Sequence, residues 1–336
     1  MIDQRFYETF GPLSVRALAP DCEIGGDANV KVSGVASAKD AGPDDLCYYD
    51  AKGGAALESA PGACVLQPAA AHLAPKARAL ILAEHPRTMF ARIAAKLARP
   101  RWFEGEQHVH PSAQLEEDVI LAPGVVIGPG AHIGAGSRIG PGAAIGPGVA
   151  IGRRALIGAN VSISFSLIGD DAKILAGAVI GETGFGVAGD ALGLVDVPHL
   201  GRVILQDRVT IGANSTIDRG VFGDTVIGED SKIDNLSQIG HNCEIGRGVL
   251  IAAFGGISGS TVVGDYVAMG GRVGIADHRV IGARARLAAG SGVLQDIPAG
   301  ETWAGYPAKP RFKWLRETAW LSRKATGART HRDDTK

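Results

Sequence analysis

Two histidines near the end of a long series of sequence repeats are the side chains best suited to proton-transfer chemistry. His241 lies in the segment SQIGHNCEIG, residues 237–246, and His278 ends the segment GGRVGIADH, residues 270–278. A neutral imidazole can accept a proton from an attacking amine or hydroxyl, because its unperturbed pKa lies near physiological pH. Whether either histidine can meet a substrate depends on the structure that the repeats form.

An aliphatic residue recurs at every sixth position in two long stretches of the chain. The first series runs from Leu115 to Ile180, with a slip of one residue before Ile168, and the second runs from Ile227 to Val293. Six is a multiple of the two-residue period of a β-strand, so all these side chains can face the same side. Glycine often follows the aliphatic residue and permits a sharp bend or a positive φ. The pattern predicts a parallel β-helix whose coils are stable only when stacked.

Hexapeptide repeats of this form resemble the left-handed β-helix of the hexapeptide acyltransferases, in which three repeats make one triangular coil. Residues 18 apart should then lie above one another, about 4.8 Å apart. Gly259 is expected directly above His241, and Asp277, next to His278, one coil higher. The two histidines should therefore lie roughly 10 Å apart on one edge of the prism. The chain near residue 223 is expected one coil below His241, as a floor.

These positions could form an acyl-transfer site. His241 would act as the general base, and the bare backbone N–H of Gly259 could stabilise the oxyanion of a thioester under attack. Asp234, seven residues before His241, is a candidate to orient the imidazole. A surface histidine without a catalytic role is the alternative interpretation of His241, and geometry alone leaves both open.

Two interruptions of the repeat predict functional loops. Residues 182–203 are rich in glycine and out of phase, which predicts a loop that projects from the prism and carries His199. His199 could reach a neighbouring group. Between Ile217 and Ile227 the step is ten residues instead of six, so four residues should bulge outwards. Long loops in a regular scaffold are commonly functional.

The composition changes on both sides of the repeats. Residues 1–103 lack the six-residue period, and a buried strand is predicted at 77–84 and a helix that begins with proline at 86–98. The tail shows helical spacing. The sequence therefore predicts a mainly β protein with a small α/β domain (1–103), a left-handed parallel β-helix (104–302) and a basic helical C-terminal tail (303–336).

Charge and hydropathy limit the partners and the location. The formal net charge of −1 gives no basic footprint for nucleic acid. No run of about 18 apolar residues occurs, and the N-terminus lacks the apolar core of a secretory signal. The four cysteines form no CxxC pair, which is typical of reduced thiols. We expect a cytoplasmic protein that could still touch the surface of the inner membrane.

The tail is basic. Between residues 303 and 336 nine Lys or Arg residues stand against three Asp or Glu, a local balance of +6. Such a segment could bind an acidic partner, or it could simply be a solvated basic tail.

The segment TIDRGVFGDTVIGEDSKIDNLSQIGHNCEIG, residues 216–246, resembles the signature of UDP-3-O-acylglucosamine N-acyltransferases of lipid A biosynthesis. GETGFG at 181–186 and GGRVGIADH at 270–278 match as well, as does the order of small domain, β-helix and helical tail. The resemblance covers nearly the whole chain. Its central motif is much more specific than the hexapeptide repeats, which many transferases share.

The resemblance implies a reaction and a set of partners. A 3-hydroxyacyl group would pass from an acyl carrier protein thioester to the 2-amine of UDP-3-O-acylglucosamine, in a homotrimer with sites between subunits. His241 matches the family's general base, Asp234 its acidic partner and Gly259 the oxyanion donor. His278 matches a second active-site histidine near the phosphates of the nucleotide sugar. No cofactor besides the carrier-protein thioester, and no metal ion, is implied, while the basic tail would suit the acidic carrier protein.

One segment departs from the family pattern. The family holds uracil with a Phe-x-x-Asn-Pro-Lys-Tyr-like stretch, whereas this chain reads CYYDAKGG at 47–54. Tyr48 could replace the phenylalanine as a stacking platform, and Tyr49 follows it. The asparagine position falls near Asp50 or Ala51, and the later tyrosine is absent. Ordinary strand packing is the alternative interpretation of both tyrosines.

Other functions have to be weighed against this one. O-acylation of a nucleotide sugar, or acetyl transfer from coenzyme A, is disfavoured by the extra N-terminal domain and by the signature around His241. A zinc carbonic anhydrase on the same prism would need two histidines about five residues apart, which neither His241 nor His278 has. A non-catalytic β-helix scaffold is the remaining alternative.

Overall fold

Stacked strands of two to five residues form three parallel sheets, one on each face of a triangular prism. The computed structural model that shows them describes residues 2–51, 54–103 and 108–327. The first face contains Gln114–Leu115, His132–Ile133, Ala150–Ile151, Ser166–Ile168, Val203–Leu205, Thr225–Ile227, Glu244–Ile245, Val262–Val263 and Val280–Ile281.

The second face continues furthest towards the C-terminus. It contains Ile120–Leu121, Arg138–Ile139, Leu156–Ile157, Lys173–Ile174, Thr210–Ile211, Lys232–Ile233, Leu250–Ile251, Ala268–Met269, Arg286–Leu287, Thr302–Ala304 and Lys309–Pro310. The pairing is parallel except between the last two strands, which are antiparallel.

The third face carries the candidate site described below. Its strands are Val126–Ile127, Ala144–Ile145, Ser162–Ile163, Val179–Thr183, Thr216–Arg219, Gln238–Ile239, Gly256–Ile257, Gly274–Ile275 and Gly292–Val293.

The interior of the prism is filled by the aliphatic residues of the six-residue repeat. Ile133, Ile163, Ile211 and Ile239 are fully buried, as are nearly all their counterparts from residue 127 onwards. Burial of each such side chain contributes roughly 1.5–3 kcal/mol. The predicted mainly β fold, with a left-handed parallel β-helix as its centre, is confirmed.

The strands before the prism form a small mixed sheet and two short pairs. The five-stranded sheet has the spatial order Glu23–Gly26, Ala79–Leu82, Ala63–Leu66, Asp45–Tyr48 and Gly34–Val35, and only the first pair is antiparallel. Tyr7–Thr9 pairs with Ala98–Pro100, and Leu13–Ser14 pairs with Lys31–Val32.

Helices are few in the described ranges. The named ones are α1 (Val15–Leu18), a 3₁₀ helix (Pro68–Leu73), α2 (Pro86–Ala94) and α3 (Arg311–Gly327). Proline begins α2, as predicted, and Phe90 and Ile93 bury its inner face. This helix ends earlier than predicted, because residues 98–100 pair as a strand with Tyr7–Thr9. The helical tail is confirmed by α3.

The limits of the predicted domains, at 103/104 and 302/303, remain predictions. Residues 104–107 and 328–336 lie outside the described part of the chain. Buried residues of the first hundred positions and of the prism belong to one continuous apolar cluster. Within the described ranges, no helix is both long enough and apolar enough to cross a lipid bilayer.

The loop predicted at 182–203 folds into a β-hairpin that lies on α2. Its strands, Val187–Asp190 and Gly193–Asp196, pair antiparallel. Arg92 of α2 forms an ion pair with Asp190 at 2.8 Å, and Thr88 donates a hydrogen bond to the carbonyl of Gly189 at 2.9 Å. The hairpin therefore joins the N-terminal sheet to the third face.

Gly181 stands where a side chain cannot fit. Its φ is +89°, and a Cβ atom built on it would overlap the carbonyl oxygen of Ser164. We therefore expect Gly181→Ala to lower the free energy of unfolding by at least about 2 kcal/mol, through backbone strain and this overlap. Chemical denaturation measures the loss. Gly25→Ala is the control, since its nearest neighbour would lie at an ordinary 3.5 Å; equal stability of the two variants would contradict the prediction.

Candidate active site

A groove of about 850 Å³ follows the outside of the third face and the corner that comes after it. Three glycines, Gly256, Gly274 and Gly292, stack in register above Gln238 and form its floor. A Cβ atom built on Gly256 or Gly274 would meet nothing within 4 Å. The missing side chains are what leaves the face open to a ligand.

His241 lies at the corner of this groove, two residues after the buried Ile239. Two glycines confine its ring. A Cβ atom on Gly259 would lie 2.7 Å from both Cε1 and Nε2 of His241, and one on Gly184 would lie 3.0 Å from Cδ2. A side chain at Gly259 would displace the imidazole, and one at Gly184 would press tightly against it.

Asn242 determines which nitrogen of His241 carries the proton. Nδ1 of His241 lies 3.1 Å from Oδ1 of Asn242, and the same Oδ1 accepts the backbone N–H of Val221 at 2.8 Å. Since Oδ1 can only accept, Nδ1 of His241 is the protonated nitrogen. The lone pair of Nε2, beside Gly259, is then available to take a proton.

The backbone N–H of Gly259 is an unused donor at the same place. At three equivalent corners a carboxylate of the adjacent coil accepts the corresponding N–H, as Glu116 does for Ala135, Asp170 for Arg153 and Asp265 for Arg247. Among the described residues, the N–H of Gly259 has no acceptor. It borders the groove, where it can stabilise a negatively charged oxygen.

The structure does not bring Asp234 to His241 within one chain. Asp234 follows the second-face strand Lys232–Ile233, whereas His241 follows the third-face strand Gln238–Ile239, so the two occupy successive corners. Oδ1 of Asp234 accepts the backbone N–H of Asn235 at 2.7 Å. Within one chain Asn242 makes the contact with the imidazole, and the pairing of Asp234 with His241 stays a prediction.

A different carboxylate, Asp218, lines the groove near His241. It comes from the strand Thr216–Arg219, and Gln238 donates a hydrogen bond to its Oδ2 at 2.8 Å. Burial raises the pKa of Asp218, while the hydrogen bond and the nearby His241 oppose that change. In the sequence, only its place within the quoted signature points to it.

The chain below His241 is not the one that the 18-residue rule predicts. Gln238 lies opposite Thr216, 22 residues earlier, because four extra residues leave the prism between the strands that end at Arg219 and begin at Thr225. Position 219, and not position 223, is thus in register with His241. The rule does hold above His241, where Gln238 lies opposite Gly256.

His278 lies one coil above Gly259 in the same groove, and its backbone N–H donates to the Gly259 carbonyl at 3.1 Å. Its side chain is exposed. Arg87, from α2, and Phe185, which is 91% exposed, also line the groove. The groove therefore offers cationic and aromatic groups beside its glycine floor.

Tyr48 and Tyr49 do not line this groove. The half-buried ring of Tyr48 packs against Phe90 at 5.3 Å and Phe222 at 6.3 Å between ring centroids, and burial raises the pKa of its hydroxyl. Tyr49 donates a hydrogen bond to the carbonyl of Ala55 at 2.6 Å. Residues 52 and 53 lie outside the described part of the chain, so the predicted uracil contacts of this segment remain a prediction.

His199 is a neighbour of His241 that sequence spacing could not reveal. Only 2% of its surface is exposed, and its ring centroid lies 5.2 Å from that of His241 at an interplanar angle of 75°. Burial and the positive potential of neighbouring groups lower the pKa of His199 to about 4. It is therefore neutral at physiological pH.

No group of three or more His, Cys, Asp or Glu side chains within residues 2–51, 54–103 and 108–327 is placed to hold a metal ion. The donors gathered in the groove are instead an imidazole base, a backbone N–H and a carboxylate. That set suits proton transfer and oxyanion stabilisation in acyl transfer.

Comparisons with known proteins agree with this chemistry. A family model described as UDP-3-O-(3-hydroxymyristoyl) glucosamine N-acyltransferase, LpxD, matches residues 29–96, and one for the bacterial transferase hexapeptide matches residues 130–165 and 224–259. The chain is 57% identical to a UDP-3-O-acylglucosamine N-acyltransferase of Caulobacter sp. (strain K31), over 97% of this chain and 98% of that protein. It is 48% identical to the protein of that name from Methylobacterium sp. (strain 4-46), over 99% of both chains.

Among solved structures, the UDP-N-acetylglucosamine acyltransferase of Bacteroides fragilis aligns with 62% of this chain and 77% of its own. Its sequence identity is 22% and its TM-score is 0.48.

The low pKa of His199 predicts how stability depends on pH. Between pH 6.5 and pH 4 the unfolded chain binds a proton at this residue that the folded chain does not. The contribution of neutral His199 to the free energy of unfolding is therefore full above pH 6.5 and falls towards pH 4. When the pH is lowered from 7 to 5, the free energy of unfolding should fall about 2 kcal/mol less in His199→Gln than in the wild type. Denaturation at both pH values measures it. The exposed His72→Gln should leave the loss unchanged; identical losses in the wild type and His199→Gln would refute the assignment.

Proposed function

Because the chain belongs to the UDP-3-O-acylglucosamine N-acyltransferase family, we propose that His241 is the general base of its acyl transfer and that the N–H of Gly259 stabilises the oxyanion. The protein is an acyltransferase of lipid A biosynthesis, and its acceptor is the amine of UDP-3-O-acylglucosamine. The observation that carries the proposed mechanism is the proximity of a free imidazole Nε2 and an unused backbone N–H in one groove.

The proposed reaction needs few groups. The neutral 2-amine attacks the thioester carbonyl carbon, a C–N bond forms, and the carbonyl π electrons move to the oxygen that faces the N–H of Gly259. Nε2 of His241 takes the proton that the nitrogen loses. When the intermediate collapses, the C–S bond breaks, the electron pair leaves with sulfur, and the imidazolium gives its proton to the thiolate to form the thiol. Asn242 holds Nδ1–H throughout, which keeps Nε2 aimed at the groove.

Acyl carrier protein is the proposed donor of the 3-hydroxyacyl chain. Helix α3 exposes Phe312 and Trp320, 75% and 59% of their surfaces, among basic residues such as Arg311, Lys313 and Arg316. An acidic helical carrier would be attracted by the charges and could cover the apolar residues. The open floor at Gly256 and Gly274 could accept an acyl chain, while the ring of Tyr306 covers Gly292 at the end of the groove.

The nucleotide sugar is proposed to enter between α2 and the prism. Arg87 and His278 line this side of the groove and could contact its diphosphate. Tyr48 remains the candidate for the uracil. We further propose a cytoplasmic location, where carrier-protein thioesters are made, with contact to the inner membrane limited to its surface.

The base and the glycine beside it can each be tested by substitution. We expect His241→Ala to lower kcat by about 10²–10⁴-fold, since that is the usual contribution of general-base catalysis. We expect Gly259→Ala to lower kcat by about 10²-fold, because its methyl group displaces the imidazole and crowds the N–H. The measurement is turnover of 3-hydroxyacyl carrier protein with UDP-3-O-acylglucosamine.

Gly25→Ala, far from the groove, is the matched control and should keep full activity. No turnover by the folded wild-type protein would overturn the substrate assignment. Full activity of His241→Ala would overturn its role as the base and leave the substrate in place.

A homotrimer would explain how Asp234 could take part. Within one chain Asp234 and His241 occupy different corners, so only a neighbouring subunit can supply this carboxylate to the ring. We propose that the corner with Asp234 of one subunit faces the groove of the next. The pair expected from the family would then form between subunits.

Mixed oligomers test this arrangement. Asp234→Asn and His241→Ala should each be nearly inactive as pure oligomers. Oligomers reassembled from both variants should regain part of the activity, because a site between subunits can combine an intact His241 with an intact Asp234. Co-expression with two affinity tags isolates them. Mixed oligomers as inactive as their parents would place both residues in the same subunit's site or remove Asp234 from catalysis.

A further inference from the structure

We propose that His199 is a positioning residue for the general base, and that its bare Nε2 stabilises the imidazolium that His241 becomes during acyl transfer. This inference rests on the proposed function of His241. It assigns a catalytic purpose to a histidine that lies outside the hexapeptide repeats, in the segment that follows the hairpin on α2.

The tautomer of His199 is fixed by its own backbone segment. Nδ1 of His199 lies 2.9 Å from the carbonyl oxygen of Val197, and since a carbonyl can only accept, this nitrogen carries the proton. Nε2 therefore presents a lone pair. In the described part of the chain, it is the only buried side-chain nitrogen or oxygen without a hydrogen-bond partner. Buried polar atoms are nearly always paired, so an exception beside a candidate base calls for a functional explanation.

The lone pair borders the ring of His241. A Cβ atom built on Gly184 would lie 3.1 Å from Nε2 of His199 and 3.0 Å from Cδ2 of His241, so both atoms flank the same small space. Glycine at 184 keeps this space free of a side chain. The two rings meet edge to face, with centroids 5.2 Å apart. A partial negative charge is thus held next to the ring that becomes positive.

The backbone of His199 is held from two sides. The Tyr7 hydroxyl lies 3.0 Å from the carbonyl oxygen of His199, and Nε of Arg219 donates to the same oxygen at 3.0 Å. Arg219 is buried, packs its guanidinium 4.0 Å from the centroid of Phe165, and donates from its Nη1 to the carbonyl of Gly181. This anchoring fixes the backbone of His199.

A fixed dipole of this kind lowers the energy of the charged intermediate without reorganisation. His199 itself does not compete for the proton, because its pKa is about 4. Other titratable or charged groups also face the two rings or line the groove and contribute to the electrostatic potential there. They are Tyr7, Arg87, Asp218, Arg219, Asp277 and His278. None of these is changed by a substitution at position 199.

Two substitutions separate the lone pair from the ring. His199→Phe keeps an aromatic ring against His241 but has no acceptor. His199→Gln loses the ring but can donate its amide N–H to the Val197 carbonyl and present its oxygen as an acceptor. We expect kcat to fall at least tenfold in His199→Phe, with KM for both substrates within twofold, and to stay within about threefold of the wild type in His199→Gln.

A titration without turnover provides the second readout. The ring of His241 can be followed by NMR of protein labelled at histidine Cε1, with its signal assigned by the His241→Ala variant. We expect the midpoint for His241 to lie at lower pH in His199→Phe than in the wild type, because its cation loses a stabilising dipole. His199→Gln should return the midpoint towards the wild-type value.

The outcomes distinguish this inference from the proposed function. If His199→Phe matches the wild type in both kcat and midpoint, or if both variants lose activity equally with an unchanged midpoint, His199 has only a packing role. If the wild type does not transfer the acyl group, or His241→Ala remains active, the proposed function fails, and the midpoints still decide whether His199 acts on His241. Thermal melting checks that each variant is folded; should His199→Phe fail to fold, the midpoint of His199→Leu takes its place.

Discussion

The hydrogen-bonded register between coils is the constraint on which the rest of this structure depends. Each strand has only a few residues, so a single coil can neither satisfy its backbone groups nor bury its aliphatic side chains without the coils on either side. Once the ladder fixes which residues lie opposite one another, it also fixes what stacks along each corner. His241, Gly259 and the segment of His278 meet because the ladder from Gln238 through Gly256 to Gly274 is unbroken. The geometry of the candidate site is therefore inherited from the repeat.

The part of the site that follows this regular register could be predicted from the sequence. A six-residue period identifies the buried face, and adding 18 to His241 gives Gly259 without any knowledge of side-chain packing. The same rule fails below His241, since the four extra residues before Thr225 change the step to 22. The contact of Asn242 with His241 could not be predicted, because the side chains of consecutive residues normally point in different directions. At this corner the φ of +58° of Asn242 brings its amide to the imidazole.

Contacts between distant segments could not be predicted. His199 is buried against His241 only because its hairpin lies on α2 and because Tyr7 and Arg219 hold its carbonyl, and none of these contacts leaves a periodic signal. Asp234 illustrates the opposite case. Its proximity in sequence and its place in the family signature suggested a pair with His241, but consecutive repeats lie on different faces, and seven residues are enough to turn a corner.

The four-residue insertion before Thr225 has a consequence for how such a protein can change over time. The extra residues leave the prism at a corner, so the strands on both sides keep their ladder partners and the interior stays filled. A coil can thus acquire a loop, lose one or vary its length without unfolding its neighbours. New side chains can be brought beside an old reactive group in this way, which makes the corners the places where a lineage can evolve new substrates while it keeps the same scaffold.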